Sequence, residues 1–306
     1  MTAEDTIERY ATARYVVREA SEARWARRIA VFFLQLLILT AILHRFFGLS
    51  TPAAINLVGV CAVGLALAVL IAIVSLIRIW FGGQTGAGNN FAAILVGLIG
   101  LAIPAYFMSK AFLLPELTDI QTSPTDPLQF TVLMEERPRD ANPLGSPTQE
   151  QVQLQAEAYD DIGPIVVDRP AGAVFTVVNE AVKQLGWNVV VNEAPGDSGI
   201  GRIEATDSSL IMGFTDDVVV RVKGDDTSAV VDMRSASRYG RSDLGANAER
   251  IRAFEDEVNT ALEKGEKTVL EQTAAEPKEE PVAAPAKQVK KKKRSRTRKR
   301  RVRRRR

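Results

Sequence analysis

The sequence predicts an α+β protein in which three transmembrane helices precede a two-layer domain, with an antiparallel sheet packed by two helices. Three observations lead to this prediction. The first 114 residues contain three long apolar runs, and the second half contains short β-branched segments separated by turn residues. Amphipathic segments with helical spacing flank those strands. The resulting order of a helix, a series of strands and a second helix is typical of helices on one face of an antiparallel sheet.

The apolar runs cover residues 29–47, 53–80 and 91–114. A helix needs about 20 apolar residues to cross roughly 30 Å of hydrocarbon, so each run is long enough, although the first is short. A glycine-rich stretch at residues 82–88 resembles a phosphate loop, but it joins two apolar helices and follows no strand, which indicates an interhelical turn. Residues 29–114 are therefore predicted to be a three-helix transmembrane segment.

Basic residues set the expected orientation. Residues 1–28 form a basic segment whose arginines precede the first span: Arg9, Arg14, Arg18, Arg24, Arg27 and Arg28. Cytoplasmic flanks carry the excess of Lys and Arg, so we expect a cytoplasmic N-terminus. Three crossings then place the rest of the chain outside. The prediction is a multi-pass protein of the bacterial inner membrane with a periplasmic C-terminal domain.

Residues 115–160 are rich in Pro, Thr and charged side chains, and we predict an extended linker there, with a short helix at 150–159. The folded α+β domain is predicted at residues 161–265. Its elements are expected to be a helix at 171–185, strands at 187–192, 201–206, 210–214, 217–223 and 228–237, and a long helix starting near Leu244.

The last two strands are expected to form a hairpin with a two-residue turn at residues 225–226. That register places Asp217 directly opposite Arg234 and puts Arg221 diagonal to Asp232. Val218, Val220 and Val222 then share the face under the helices with Ala229, Val231 and Met233, while Val219 and Val230 lie on the other face. The predicted structural ion-pair residues are Asp217, Arg221, Asp232 and Asp243.

Four stretches resemble the family called domain of unknown function 1499. They are LPELTDIQTSPTDP at residues 114–127, GRIEAT at 201–206, GFTDDVVVRV at 213–222 and DMRSASRYGRSDLGAN at 232–247. The resemblance covers roughly residues 113–264, and the three preceding spans resemble membrane-attached bacterial members of the family. It implies a domain type and an envelope setting, and it implies no particular activity.

The stretch 232–247 is the candidate binding site. Arginine offers forked donors suited to phosphate or carboxylate, and the start of the last helix near Ser242 and Asp243 would expose N–H groups to an anion. The predicted ligand-binding residues are Arg234, Ser235, Ser237, Arg238, Arg241, Ser242 and Asn247. The alternative is that Asp243 caps the helix and pairs with the arginines, which would make the stretch a structural network.

The sequence assigns no catalytic residue, metal site or cofactor. His44 is the only histidine and lies at a span end, so no histidine cluster can hold a metal. A hydrolase-like enzyme using Glu204, Asp216 and Asp217 is an alternative. It is a weak one, because neighbouring strand residues point to opposite faces. The expected function is a membrane-anchored cell-envelope protein of unknown activity that binds an anionic ligand or partner.

The C-terminal residues 266–306 are predicted to be a disordered linker followed by a polybasic tail. Residues 287–306 hold 15 of the 39 Lys and Arg and no acid, which leaves 24 basic against 37 acidic residues elsewhere. Outside the membrane, the tail's partners would be anionic lipid, lipopolysaccharide or an acidic protein. If the tail were cytoplasmic, a nucleic-acid or ribosome tether would be the alternative.

Overall fold

The structure is a computed structural model that describes residues 18–275, with side chains as far as residue 264. It begins with three antiparallel helices: α1 at Ser21–Phe47, α2 at Thr51–Gly82 and α3 at Ala87–Leu113. All three are long and apolar enough to cross a membrane, as predicted. Residues 21–28, expected in the cytoplasmic segment, belong to the first turns of α1, while residues 1–17 lie outside the described part.

Small residues let the three helices approach one another closely. A Cβ on Gly64 would lie 2.3 Å from the ring of Phe33, and one on Gly97 would lie 2.4 Å from a methyl of Val69. Alanines fill the remaining contacts: Ala26, Ala30, Ala68, Ala72 and Ala93. Most of the large apolar side chains are exposed on the outside of the bundle, which is the arrangement expected for helices that pack through small residues within lipid.

The soluble domain is built on a six-stranded sheet. Five strands follow the order β1-β6-β5-β4-β3, and the sixth, β2, also pairs with β6, at residues 229–231, whereas β1 pairs at residues 234–236. All pairings are antiparallel. The strands are β1 Asp119–Gln121, β2 Ile165–Val167, β3 Asn188–Glu193, β4 Ile200–Ser208, β5 Thr215–Gly224 and β6 Ala229–Ser237. The helices are α4 Val132–Glu136, α5 Gln149–Ala158, α6 Ala171–Gln184 and α7 Ala246–Ala275.

Helices α6 and α7 pack on one face of this sheet, which confirms the predicted α+β class. Their apolar sides bury alternate residues of β5 and β6, and Trp187 stacks on Phe254 with ring centroids 5.8 Å apart. The alternating pattern of β5 sends Val218, Val220 and Val222 into this core. The main hydrophobic core therefore lies between the helices and the sheet.

The opposite face of the sheet is also covered, by a segment that the sequence predicted to be a linker. Residues 122–147, called the cover segment here, bring Leu128, Phe130 and Leu133 onto Val219 and Ala236. The preceding residues form β1, which pairs with β6. The prediction of an extended linker at 115–160 is therefore corrected. Its Pro-rich composition gave no sign that the segment packs on the sheet, because that packing depends on residues about 100 positions away in the chain.

Two other predicted boundaries differ in the structure. Residues 210–214 are a loop between β4 and β5 and form no strand. Helix α7 continues to Ala275, past the predicted end of the domain at residue 265. The predicted polybasic tail at residues 287–306 lies outside the described residues.

The β5–β6 hairpin has a longer turn than predicted. Gly224 pairs with Ala229, and the Asp225 carboxylate accepts the N–H groups of Thr227 and Ser228 at 2.7 and 3.0 Å. The hydrogen bond from the Thr227 hydroxyl, together with these two N–H bonds, lowers the pKa of Asp225 to about 2. The register moves by two residues relative to the prediction. Because the period of a strand is two, each side chain keeps its face and changes its partner.

The predicted Asp217–Arg234 pair is therefore wrong. Asp217 lies opposite Ala236, and Arg234 lies opposite Val219. Arg221 lies directly opposite Asp232, where the prediction had them diagonal.

Candidate functional site

Charged and polar side chains form two clusters on opposite faces of the sheet. Strand alternation separates them: Asp216 and Asp217 are adjacent in β5 but point to opposite faces. The helix-side cluster comprises Asp207, Asp216, Ser235, Ser237, Asn247 and Arg250. The cover-side cluster comprises Arg137, Arg202, Glu204, Asp217, Arg221, Asp232, Arg234 and Arg238.

Arg250 of α7 is the centre of the helix-side cluster. It donates to Asp207 and Asp216, each at 2.7 Å, and to the Ser235 hydroxyl and Asn247 Oδ1 at 2.9 and 2.8 Å. Burial by itself would lower the pKa of Arg250, but the charge of Asp216 and the hydrogen bond to Asp207 outweigh burial and raise it. The guanidinium thus ties α7 to three strand residues.

Asn247 and Asp243 fix the start of α7. The Asn247 amide donates to the carbonyl of Thr118 and the hydroxyl of Ser237. The Asp243 carboxylate accepts the N–H groups of Gly245 and Asn247 at 2.9 and 3.0 Å. Burial raises the pKa of Asp243. The helix begins at Ala246, later than predicted, and Asp243 already occupies N–H groups that were expected to attract an anion.

Asp217 is the centre of the cover-side cluster and is fully buried. Arg238 donates to one carboxylate oxygen at 2.9 and 2.6 Å, and Arg137 Nε lies 3.1 Å from the other. Burial lowers the pKa of Arg137, and the charge of Asp217 counteracts that effect. Among the described residues, Nη1 of Arg137 has no hydrogen-bond partner although it is buried. Two guanidinium groups therefore share one carboxylate.

Arg234 is a structural residue in this arrangement, with 1% of its surface exposed. Its guanidinium forms a bidentate pair with Asp119 of β1, at 3.0 and 2.6 Å, and donates to the carbonyls of Leu128 and Gly145. It also lies over the ring of Phe130. One arginine thus fastens both β1 and the cover segment to β6.

Glu204 holds the cover segment at a second point. Its fully buried carboxylate accepts the N–H and hydroxyl of Thr131, each at 2.6 Å, the N–H of Leu133 at 2.9 Å and the Arg202 guanidinium. Burial raises the pKa of Glu204, but the donors, led by the Leu133 N–H, outweigh burial and hold it below its ordinary value. Asp216 lies on the other face, so the three acids considered for catalysis do not converge.

A further ion pair completes the cover-side cluster. Arg221 donates to its cross-strand neighbour Asp232 at 2.7 Å and reaches Asp126 of the cover segment at 2.8 Å. The charges on this face of the sheet therefore pair largely with one another and with the segment that covers them.

The predicted ligand-binding residues divide by exposure. Ser235, Asn247 and Arg234 are almost completely buried, and Ser237 is also buried. Ser242 donates to the carbonyl of Pro115. Arg238 keeps 16% of its side chain exposed. Arg241 keeps 87% exposed and contacts the exposed Glu116 at 3.1 Å. The structure thus gathers these residues at one end of the sheet but leaves Arg241 as the principal accessible cation among them.

Sequence reasoning missed the partners that complete both clusters. Asp119 and Arg137 lie in the segment taken for a linker, where nothing in the local pattern marks them. Arg250 could have been found, because it follows Asn247 at a spacing of three on one helix face.

Comparison with known proteins bears on the soluble domain. Residues 119–258 match the family described as "Protein of unknown function (DUF1499)". The match begins at the first residue of β1 and ends within α7, so it includes the cover segment and both polar clusters. No curated protein and no solved structure matches the chain. The domain that follows the three apolar helices, residues 119–258, thus belongs to the DUF1499 family.

Proposed function

We propose that the protein is a membrane-anchored module of the bacterial cell envelope. In this proposal the N-terminus is cytoplasmic, the domain is periplasmic, and the domain binds an anionic group without catalysing a reaction. The basic residues before α1 support the orientation. The occupied carboxylates support a binding role, because Glu204, Asp216 and Asp217 are each engaged by fold-forming donors.

The observation that carries the ligand proposal is a group of three arginines at residues 238–242 and in the adjoining cover segment. Arg137 and Arg238 share the single carboxylate of Asp217, and Arg241 projects from the same loop with an exposed partner. Exposed ion pairs contribute little energy, so Glu116 can be exchanged for another anion at small cost. Phosphate and carboxylate groups both suit the forked donors of arginine.

The orientation is tested in bacterial cells by fusing a reporter enzyme at two positions of the chain. We expect alkaline phosphatase fused after residue 264 to be active, because that enzyme folds outside the cytoplasm. A fusion after Gln84, in the loop between α2 and α3, is expected to be inactive and serves as the control. An inactive fusion after residue 264, paired with an active one after Gln84, would reverse the orientation. It would favour the nucleic-acid or ribosome tether through residues 287–306.

The ligand proposal is tested by Arg241→Ala, because the same replacement at Arg234 or Arg238 would remove buried ion pairs. We expect inorganic phosphate, titrated into the detergent-solubilised chain by calorimetry, to bind the variant about tenfold more weakly. A charge-assisted hydrogen bond contributes about 1.5–3 kcal/mol, and 1.4 kcal/mol corresponds to tenfold. Arg252→Ala is the matched control, because Arg252 is also a partly exposed arginine in an ion pair. Equal phosphate affinity in both variants would refute the site.

A further inference from the structure

The loop between β4 and β5 carries an apolar tip that the fold leaves uncovered. Residues 209–214 connect the two strands at the end of the sheet nearest the helical bundle. Leu210 is 87% exposed and Ile211 is 55% exposed, and both belong to a domain whose other large apolar side chains are mostly buried. Two adjacent exposed aliphatic side chains at a loop tip require an explanation, because large apolar groups in water cost free energy.

This loop is docked onto the last turn of α1. Arg45 donates to the carbonyls of Ser209 and Leu210 at 2.9 and 2.7 Å. His44 Nδ1 donates to the carbonyl of Met212 at 2.6 Å, which assigns the proton to that nitrogen. The ring of Phe214 meets the imidazole edge-on at 5.0 Å. The tip is thus held by backbone carbonyls, so its side chains remain free to point away from the protein.

The contact between this loop and His44 and Arg45 sets the position of the loop tip along α1. His44 and Arg45 precede the two aromatic residues Phe46 and Phe47 that end α1, and both aromatics are exposed. Aromatic side chains at the end of an apolar helix mark the boundary between hydrocarbon and head groups. Because the loop contacts the turn before these aromatics, its tip lies at the level of that boundary and not above the bundle.

A second connection holds the same end of the domain close to the membrane. Only residues 114–118 separate α3 from β1, and Lys110 of α3 forms an ion pair with Glu249 of α7 at 2.7 Å. A Cβ on Gly245 would lie 2.9 Å from a methyl of Leu114, so the start of α7 also packs against the end of the third helix. With contacts at α1 and α3, the sheet is held at two points of the bundle.

We propose that Leu210 and Ile211 insert into the lipid bilayer beside α1, on the side of the membrane that carries the domain. The partner is the boundary between head groups and acyl chains of the same membrane that α1–α3 cross. Insertion removes both side chains from water, while Arg45 caps the loop carbonyls that would otherwise enter the apolar region unpaired. The domain is thereby fixed against the membrane surface and does not hang from a flexible tether. This inference is independent of the anionic site.

The test places an environment-sensitive fluorophore at the tip in the full chain, reconstituted into phosphatidylcholine vesicles. The native thiol is first removed by Cys61→Ala, and Leu210→Cys is then labelled with a nitrobenzoxadiazole group. We expect a blue-shifted emission that brominated acyl chains quench strongly and aqueous iodide quenches weakly. Val166→Cys is the matched control, because Val166 is an apolar residue with 70% exposure in β2, which pairs at the far end of β6. Its label is expected to respond in the opposite way.

Two outcomes would overturn insertion. A label at 210 that iodide quenches as strongly as the label at 166 would place the tip in water. A blue-shifted label that brominated lipids do not quench would place the tip against protein. Since Leu210 is exposed, its replacement removes no packing, and limited proteolysis that leaves the labelled domain intact would verify its fold. Arg45→Ala is expected to reduce lipid quenching at 210 at least twofold, because the loop loses its attachment to α1.

Discussion

Asp217→Asn is expected to lower the free energy of unfolding of the soluble domain by about 3–5 kcal/mol, the usual cost of removing one partner from a buried ion pair. The carboxylate of Asp217 is fully buried and faces Arg137 and Arg238. An asparagine has nearly the same volume, so the loss comes from charge and not from a cavity. Both guanidinium groups would then repel each other without a counter-charge.

The measurement is urea-induced unfolding of the full chain in detergent, followed by pulse proteolysis of the domain. Asp226→Asn is the control, because this carboxylate is exposed in the hairpin turn next to β5. It is expected to change stability by less than about 0.5 kcal/mol, as most surface substitutions do. If the two variants were equally stable, Asp217 would not be the counter-charge that the geometry indicates.

Glu204→Gln is expected to lower the same free energy by about 2–4 kcal/mol. The two carboxylate oxygens of Glu204 accept hydrogen bonds from the N–H groups of Thr131 and Leu133, one each. A glutamine would present an amide donor to one of them, and a buried donor without an acceptor costs about 1–3 kcal/mol. The weakened pair with Arg202 adds to this loss. Protease cleavage within the cover segment should accelerate, because the segment loses one of its attachments to the sheet.

The pH dependence of this effect has a definite sign. The folded pKa of Glu204 lies below its ordinary value of 4.5. Its contribution to stability is therefore fully present above the unfolded pKa and is lost as pH falls through the folded one. The stability difference between the wild-type chain and Glu204→Gln should be constant from pH 6 to 8, and it should shrink as the pH falls below about 4.5.

Glu193→Gln is the matched control for both measurements, because Glu193 is an exposed glutamate of the adjacent strand β3. It is expected to leave stability and cleavage unchanged at neutral pH. A Glu204→Gln chain as stable as this control would contradict the anchoring role. That result would favour the hydrolase-like alternative, because the Glu204 carboxylate would then be available for catalysis.

Helices and strands that depend on the spacing of nearby apolar residues were predictable from the sequence. The three apolar runs correspond to α1–α3, because each run has the roughly 20 predominantly apolar residues that a membrane-spanning helix needs. The alternation in β4 and the spacing of Val174, Val178 and Val182 in α6 likewise gave the strand and the helix. The sequence also indicated residues 232–247 as a candidate site, but the accessibility of their side chains was not predictable.

The sequence by itself therefore determined the helical spans, the α+β class and the faces on which the valines lie, because each depends on neighbouring residues. Only the tertiary structure decided the ion-pair partners. Asp119 and Arg234 are far apart in the chain, and no local pattern encodes their contact. The hairpin turn is longer than predicted, with the Asp225 carboxylate bonded inside it, and Asp217 pairs with Arg137 and Arg238 and not with Arg234. Charged residues on a sheet face can pair with any segment that covers that face. Their ion-pair partners can therefore be identified only once the fold is known.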